Sequence, residues 1–306
     1  MSMNKSMAAT VILAILLLPL VSYGGSSGLS FLKLGTSGRG VAMADAAVAH
    51  AAGPEATFYN PAGIFPAFPD GSAEVMVMHK EWIEDTRTDF LGAAVALDES
   101  NALGLSVNST TVSDIEVRTR PGPADGVFTA RNYSLGISYA RVFSEDLRVG
   151  MTGKLLHEKI LVDEASGLGL DIGAQYKPPI DNLSIGAVIA NLGGMSNLRN
   201  EATSLPSLLR LGGAYTLLLE DLRSNLLVAA DYLQLFNEGN SYVSFGGEFT
   251  YDQTVAARLG YTAGSEGRKL STGIGLMHGV FSLDYAFAPL AEDLGNTHTV
   301  SVGVRF

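Results

Sequence analysis

The sequence predicts an all-β fold: a transmembrane antiparallel β-barrel of about 14 strands, with an N-terminal helical and loop segment that plugs the lumen. Three observations predict it. An apolar leader opens the chain, residues 73–306 alternate with period two, and hydrophobic residues make up 47% of the chain against 17% charged. No later stretch approaches about 18 consecutive apolar residues. We therefore expect an exported chain that crosses a membrane with strands.

The first 24 residues have the features of a signal peptide. Lys5 is their only charged side chain, residues 7–21 form an uncharged core, and small residues precede a cleavage position before Gly25. This core is too short for a comfortable transmembrane helix. The predicted division is a signal peptide (1–24), a plug segment (25–72) and an outer-membrane barrel (73–306).

Charge and cysteine content exclude some partners. The formal net charge is -11, and cleavage after Gly24 would remove Lys5 and make it more negative still. Nucleic acid is a poor partner for such a chain. The sequence contains no cysteine, so neither disulfides nor thiolate metal sites arise.

The predicted plug segment lacks the period-two alternation that residues 73–306 show. Small, helix-forming residues predict a helix from Val41 to Ala52, which ends at Gly53-Pro54. The segment closes on a predicted turn at Asn60, Pro61, Ala62 and Gly63, our only candidate site motif. Two other interpretations stay open. The segment could be an ordinary helix and turn ahead of a domain, and the motif could be a rigid link into the first strand.

After this segment we predict 14 strands, an even number as expected for a bacterial single-chain barrel. They cover residues 73–83, 87–97, 101–113, 127–141, 147–161, 166–177, 182–192, 206–217, 223–234, 240–251, 253–262, 268–277, 279–288 and 296–306. The connections are expected to alternate between short periplasmic turns and outer loops. The longest outer loops are predicted at 115–126 and 193–205.

The two faces of the strands differ in chemistry. Val300, Val302, Val304 and Phe306 share one face of the last strand, with polar or small residues between them. Alternation alone would also fit a soluble sandwich. Charges of both signs fall on the opposite, lumen-facing positions, where they could pair with each other or with the plug, or line a hydrated pore. These are Arg148, Lys154, Asp171, Arg210, Asp231, Glu248, Arg258, Asp284 and Arg305.

No catalytic or metal-binding constellation stands out. The histidines are scattered and no pair has metal-ligand spacing, so we assign no enzyme activity, cofactor or metal. The five are His50, His79, His157, His278 and His298. Function must therefore be argued from the barrel and its plug.

The N-terminal motifs resemble a known family. The ordered combination of Phe31–Gly35, a Gly/Arg patch, an alanine-rich run with Met43, and Ala56–Gly63 resembles the PorV/PorQ proteins, which are similar to the FadL-type outer-membrane transporters. The ending Val302, Val304 and Phe306 resembles the carboxy-terminal signature that barrel assembly machinery reads. The resemblance implies location in the bacterial outer membrane, with lipid and the assembly machinery as partners.

Three functions follow as hypotheses. The resemblance implies a non-enzymatic component of protein secretion of the type IX kind, which holds secreted cargo proteins at its outer face. The alternative is FadL-like transport of hydrophobic small molecules, although the short outer loops weigh against it. A third possibility is a structural or adhesive envelope barrel.

Overall fold

The chain forms a closed barrel in a computed structural model, which describes residues 27–66, 72–83, 86–199, 201, 203–265, 267–291 and 294–306. Each strand pairs antiparallel with its sequence neighbours, and β1 also pairs with β14 to close the wall. The strands are β1 Ala73–Glu81, β2 Thr86–Ala96, β3 Asn101–Val117, β4 Gly126–Ser144, β5 Leu147–Ile160, β6 Asp163–Tyr176, β7 Leu183–Met195, β8 Leu208–Leu219, β9 Ser224–Leu235, β10 Ser241–Tyr251, β11 Val255–Ala263, β12 Leu270–His278, β13 Phe281–Pro289 and β14 Asn296–Arg305.

The predicted fold class and strand count are confirmed, and every predicted strand end lies within four residues of the observed one. The largest differences are in β3 and β4, which extend to Val117 and Ser144. A register shift between Val112 and Ile115 lets β3 continue where we predicted a loop. His278 is the last residue of β12, one residue beyond the predicted end of that strand.

The outer face of the barrel wall is apolar, and its inner face is mostly polar or small. Ile137, Leu168 and Leu105 point outward and are 66%, 65% and 58% exposed, whereas inward-facing Ser138 and Asp171 are both fully buried. A soluble protein rarely exposes so continuous an apolar surface, but a bilayer would cover it. No helix among the described residues is long and apolar enough to span a membrane.

The connections differ between the two ends of the barrel. At one end all six turns are short, at 97–100, 145–146, 177–182, 220–223, 252–254 and 279–280. The opposite end carries the longest connections, at 118–125 and 196–207. This asymmetry assigns the short-turn end to the periplasm and the other end to the outside.

Residues 27–66, here called the lumenal segment, run through the barrel. At the outer end Gly28 N donates to Ser204 O at 3.0 Å, and Lys33 pairs with Glu238 at 2.8 Å. Near the periplasmic end the Phe65 ring lies 4.9 Å from the Arg148 guanidinium. The segment contains helices α1 (Gly38–Ala42) and α2 (Ala56–Tyr59) and 3-10 helices at Ser30–Lys33, Gly53–Glu55 and Pro61–Gly63. The predicted signal peptide and residues 25, 26 and 67–71 of the predicted plug lie outside the described residues.

The predicted helix from Val41 to Ala52 is wrong. The helix α1 ends at Ala42, and Ala44 and Asp45 turn the chain with φ of 56° and 61°. Ala47 N and Val48 N donate to the Asp231 carboxylate at 2.9 and 3.0 Å. A side chain of the barrel therefore satisfies backbone groups that a helix would have bonded internally. This tertiary contact overrides the high helix propensity of alanine.

Candidate functional site: the occupied lumen

The Asn60–Gly63 motif forms a buried turn deep in the barrel. Asn60 Oδ1 accepts from Ala62 N at 3.1 Å and caps the 3-10 helix at Pro61–Gly63. Its Nδ2 donates to Val48 O at 2.8 Å and to Ala174 O, on β6, at 3.0 Å. One fully buried side chain thus fixes the turn, a second loop of the segment and the barrel wall.

Inward-facing glycines give this turn its space. A side-chain carbon at Gly150 would lie 2.4 Å from the Pro61 carbonyl carbon, and one at Gly173 would lie 2.1 Å from Asn60 Oδ1. Real side-chain carbons do not approach this closely. The glycine-rich inner face therefore matches the segment that it surrounds.

Arg39 organises one buried charge network, the Arg39 network. Its guanidinium donates to Glu248 on β10 and, at 3.2 Å, to Glu55 within the segment. Arg258 on β11 donates to Glu248 at 2.6 Å and to Asp284 on β13 at 2.7 Å. The sequence placed the three barrel residues in the lumen. It did not indicate that Arg39 of the lumenal segment would join them by bonding to Glu248.

A second network was missed by the sequence reasoning. Tyr59 Oη donates to Asp45 at 2.7 Å, and Arg268 pairs with the same carboxylate. Lys80, on β1, donates to Gly35 O and is only 2% exposed. Lys80 shares its face with Met76 and Met78, so strict alternation along β1 could have placed it in the lumen.

The remaining predicted lumen charges occupy separate positions. Lys154 pairs with Asp171 at 2.6 Å and donates to Asn191 at 2.8 Å. The Arg210 guanidinium lies 5.7 Å from the centre of the Tyr59 ring. Arg305 lies opposite Glu74 in the register of β1 and β14.

The predicted assembly signature lies on the outer wall. Val302 and Phe306 are 38% and 69% exposed, and Phe306 N donates to Ala73 O at 2.9 Å. Val304 is partly buried on the same face. Recognition by assembly machinery stays a prediction.

One sector of the lumen is apolar, here called the apolar sector. Leu29, Phe31 and Leu32 of the lumenal segment pack on Leu156 of β5 and on Leu205. Beside them, Val48 packs on inward-facing residues of β7, β8 and β9: Val188, Ala190, Leu208 and Leu235. The sequence reasoning missed this sector, although apolar residues at consecutive positions 187–190 break the alternation and could have indicated it.

The apolar sector is almost fully packed. A cavity of about 10 Å³ lies between Leu32, Phe58, Tyr59 and the inner faces of β5, β7 and β8, where Lys154, Asn191 and Arg210 add polar groups. This is roughly the space of one water probe. An organic molecule could enter only if side chains of the segment moved.

The histidines form no common site. His50 contacts Ala46 O at 2.9 Å inside the lumen, whereas His79 contacts Asp89 at 2.7 Å on the outer wall. In the part of the chain that the structure describes, no three His, Asp or Glu side chains could hold a metal ion.

The fold and the lumen define a class of protein: an integral β-barrel of the bacterial outer membrane whose interior is occupied by its own N-terminal segment. No family model matches the sequence, and no curated protein matches it. Among solved structures, the fold is similar to that of the Pseudomonas putida toluene transporter TodX. The TM-score is 0.60 at 12% identity, over 89% of this chain and 99% of that one.

A second solved structure with this fold is the deltaS2S3 mutant of TodX, described as a monoaromatic hydrocarbon channel. Its TM-score is 0.57 at 14% identity, over 83% of this chain and 95% of that one. At such identities the likeness concerns the fold. The resemblance to PorV/PorQ proteins rests on the sequence motifs.

Proposed function

We propose that this barrel is a passage for hydrophobic small molecules across the outer membrane. The observation that carries the proposal is the apolar sector, where apolar residues of the lumenal segment pack on inward-facing apolar residues of the wall toward the outer end of the lumen. An apolar molecule gains free energy by leaving water for such a sector. This was the alternative to secretion in our sequence interpretation.

The side chains of the lumenal segment that occupy the apolar sector present the same kind of apolar surface as a hydrophobic ligand would. Leu29, Phe31 and Leu32 are at most 4% exposed and pack on the apolar side chains of Leu156 and Leu205. Exposing a buried Leu or Phe costs roughly 1.5–3 kcal/mol, which an apolar ligand in the same place would offset. The ligand and these residues would therefore compete for one surface.

The ion pair of Lys154 beside the sector favours an uncharged ligand. Lys154 is already neutralised by Asp171, and its ammonium also donates to Asn191. A ligand carboxylate would have to compete with the Asp171 carboxylate for this ammonium at a cost in desolvation. The fold's likeness to a toluene transporter supports the same choice.

Transport can be tested in proteoliposomes loaded with purified mature protein. We expect uptake of toluene above that of empty liposomes and little uptake of benzoate. The double variant Phe31→Ala with Leu32→Ala should change the rate of toluene uptake. The matched control Leu168→Ala, on the lipid-facing side, should leave it unchanged. Absence of toluene uptake in every variant would contradict the proposal.

The secretion role remains a separate proposal that rests on the PorV/PorQ resemblance. Its test is crosslinking from the outer loops in cells. Capture of carboxy-terminal domains of secreted proteins would favour it over transport. A structural or adhesive barrel would give neither uptake nor such capture.

A further inference from the structure

The barrel closes where β1 meets β14, the first and last strands of the wall. Eight residue pairs form this seam, from Glu74 opposite Arg305 to Glu81 opposite His298. The two strands are separated by more than 200 residues of chain. Bringing them together therefore carries a large entropic cost during folding.

A short stretch of the lumenal segment bonds to both sides of the seam. Lys80, on β1, donates to Gly35 O. Three residues later, Gly38 N donates to Ser301 Oγ, on β14, at 3.0 Å. Ser301 is 1% exposed, so water does not replace this contact. Residues 35–38 thus bridge the seam from inside.

The bridge continues onto the other late strands. Ser271 Oγ, on β12, accepts from Ala44 N and donates to Ala42 O, both at 3.1 Å. The Arg39 network adds β10, β11 and β13. Helix α1 therefore lies on the inner face of the C-terminal strands.

The end of the same segment lies on the early strands. Residues 53–55 contact β1, β2 and β3, and residues 61–63 contact β4, β5 and β6. About thirty residues thus carry binding groups for both halves of the wall. They are also joined to β1 by a short connection along the chain.

We infer that the lumenal segment is an internal clamp that guides closure of the barrel. When α1 docks on the late strands, it raises the effective concentration of β14 near β1, because the segment and β1 belong to one short stretch of chain. The clamp is then part of the closing transition state and does more than fill the finished lumen. This inference is independent of transport, since a barrel could close in this way and carry nothing.

The absence of cysteine permits a direct reporter of closure. Val77 and Val302 face each other across the seam on its outer side. Val77→Cys with Val302→Cys should form a disulfide when the seam closes, because antiparallel partners lie within disulfide range. Full-length protein is refolded from urea into lipid vesicles, and closure is timed by disulfide formation and by the gel shift of unheated protein.

The test variant is Ser301→Ala, and its matched control is Ser138→Ala. Ser138 is equally buried, but its hydroxyl bonds to Thr152, on the neighbouring strand β5, at 2.7 Å. We expect Ser301→Ala to slow closure by about five-fold, the usual effect of one lost hydrogen bond formed in the transition state. Ser138→Ala should affect the closing rate by less than about two-fold. Arg39→Gln should slow closure further.

The rates of barrel closing and opening distinguish a clamp, which acts during closure, from a contact that forms only after closure. If Ser301→Ala closes at the parent rate and only opens faster, the contact forms after closure and the inference is overturned. If Arg39→Gln fails to form a barrel, the milder serine variant still decides the question. Equal slowing of closure by both serine variants would also overturn the inference.

Discussion

Arg39, in the lumenal segment, and Glu248, on β10, form a two-pronged ion pair inside the barrel. Arg39 Nε and Nη2 donate to Glu248 Oε2 and Oε1, each at 2.9 Å. Arg258 shares the same carboxylate. This geometry fixes the segment to the wall through two parallel bonds, the strongest form of such a pair.

Glu248→Gln should therefore destabilise the folded barrel. Both Arg39 and Arg258 would lose a buried partner, and breaking a buried pair in this way costs about 3–5 kcal/mol. Urea unfolding in lipid vesicles measures the effect. Glu116→Gln is the control, because its pair with Arg118 is exposed and should contribute less than about 1 kcal/mol. Similar losses in both variants would contradict the assigned role of the Arg39 network.

Gly150→Val should disturb the Asn60–Gly63 turn. The new side chain would overlap the Pro61 backbone, and overpacking of this kind costs about 1–3 kcal/mol. The unfolding midpoint should fall, and protease should cut the lumenal segment faster. Gly153→Val, three residues along β5, meets no atom within 4 Å and serves as the control. Equal behaviour of the two variants would show that the turn does not lie against β5.

Asn60→Ala should loosen the same turn from its own side. It removes the helix cap and the Asn60 hydrogen bonds to Val48 O and Ala174 O, at a cost of about 2 kcal/mol. Hydrogen exchange of Ala62 N should accelerate. Asn101→Ala, at the start of β3, removes exposed hydrogen bonds to Asp98 and should leave the Ala62 amide unaffected.

Acid should release the outer end of the lumenal segment. Partial burial alone would raise the pKa of Glu238, but hydrogen bonds from Lys33 and Ser27 and the Lys33 charge outweigh it and lower that pKa. The contact of Glu238 with Lys33 and Ser27 is therefore fully present above the ordinary Glu pKa of about 4.3. It is lost as the pH falls through the lowered pKa of Glu238.

Hydrogen exchange around residues 27–33 should rise over that acidic range. In Glu238→Gln the exchange should already be faster at neutral pH and change less on acidification. A pH response that survives this substitution unchanged would assign the effect to another group.

The strands of the barrel wall could be predicted from the sequence more accurately than the path of the lumenal segment. Val300, Val302 and Val304 alternate with small or polar residues because lipid and lumen impose opposite demands on successive positions, so β14 could be read directly. The path of residues 43–52 could not, because it depends on Asp231, a carboxylate more than 180 residues away.

The same distinction holds for the candidate site. The sequence placed Glu248, Arg258 and Asp284 in the lumen by their parity, but their pairing requires the barrel to be closed. The contact between Asp45 and Arg268 joins the lumenal segment to the connection after β11, which no local pattern indicates. The apolar sector was missed because strand alternation was read as uniform around the barrel.

The most direct test of the transport proposal is toluene uptake with the outer end of the lumenal segment locked. A side-chain carbon at Gly28 would lie 3.7 Å from Thr203 Cβ, a separation suited to a disulfide. Proteoliposomes with Gly28→Cys and Thr203→Cys should take up toluene when reduced and stop when oxidised. The single variant Thr203→Cys should be indifferent to oxidation. Equal uptake by the oxidised and reduced double variant would contradict displacement of this segment as the step that opens the barrel.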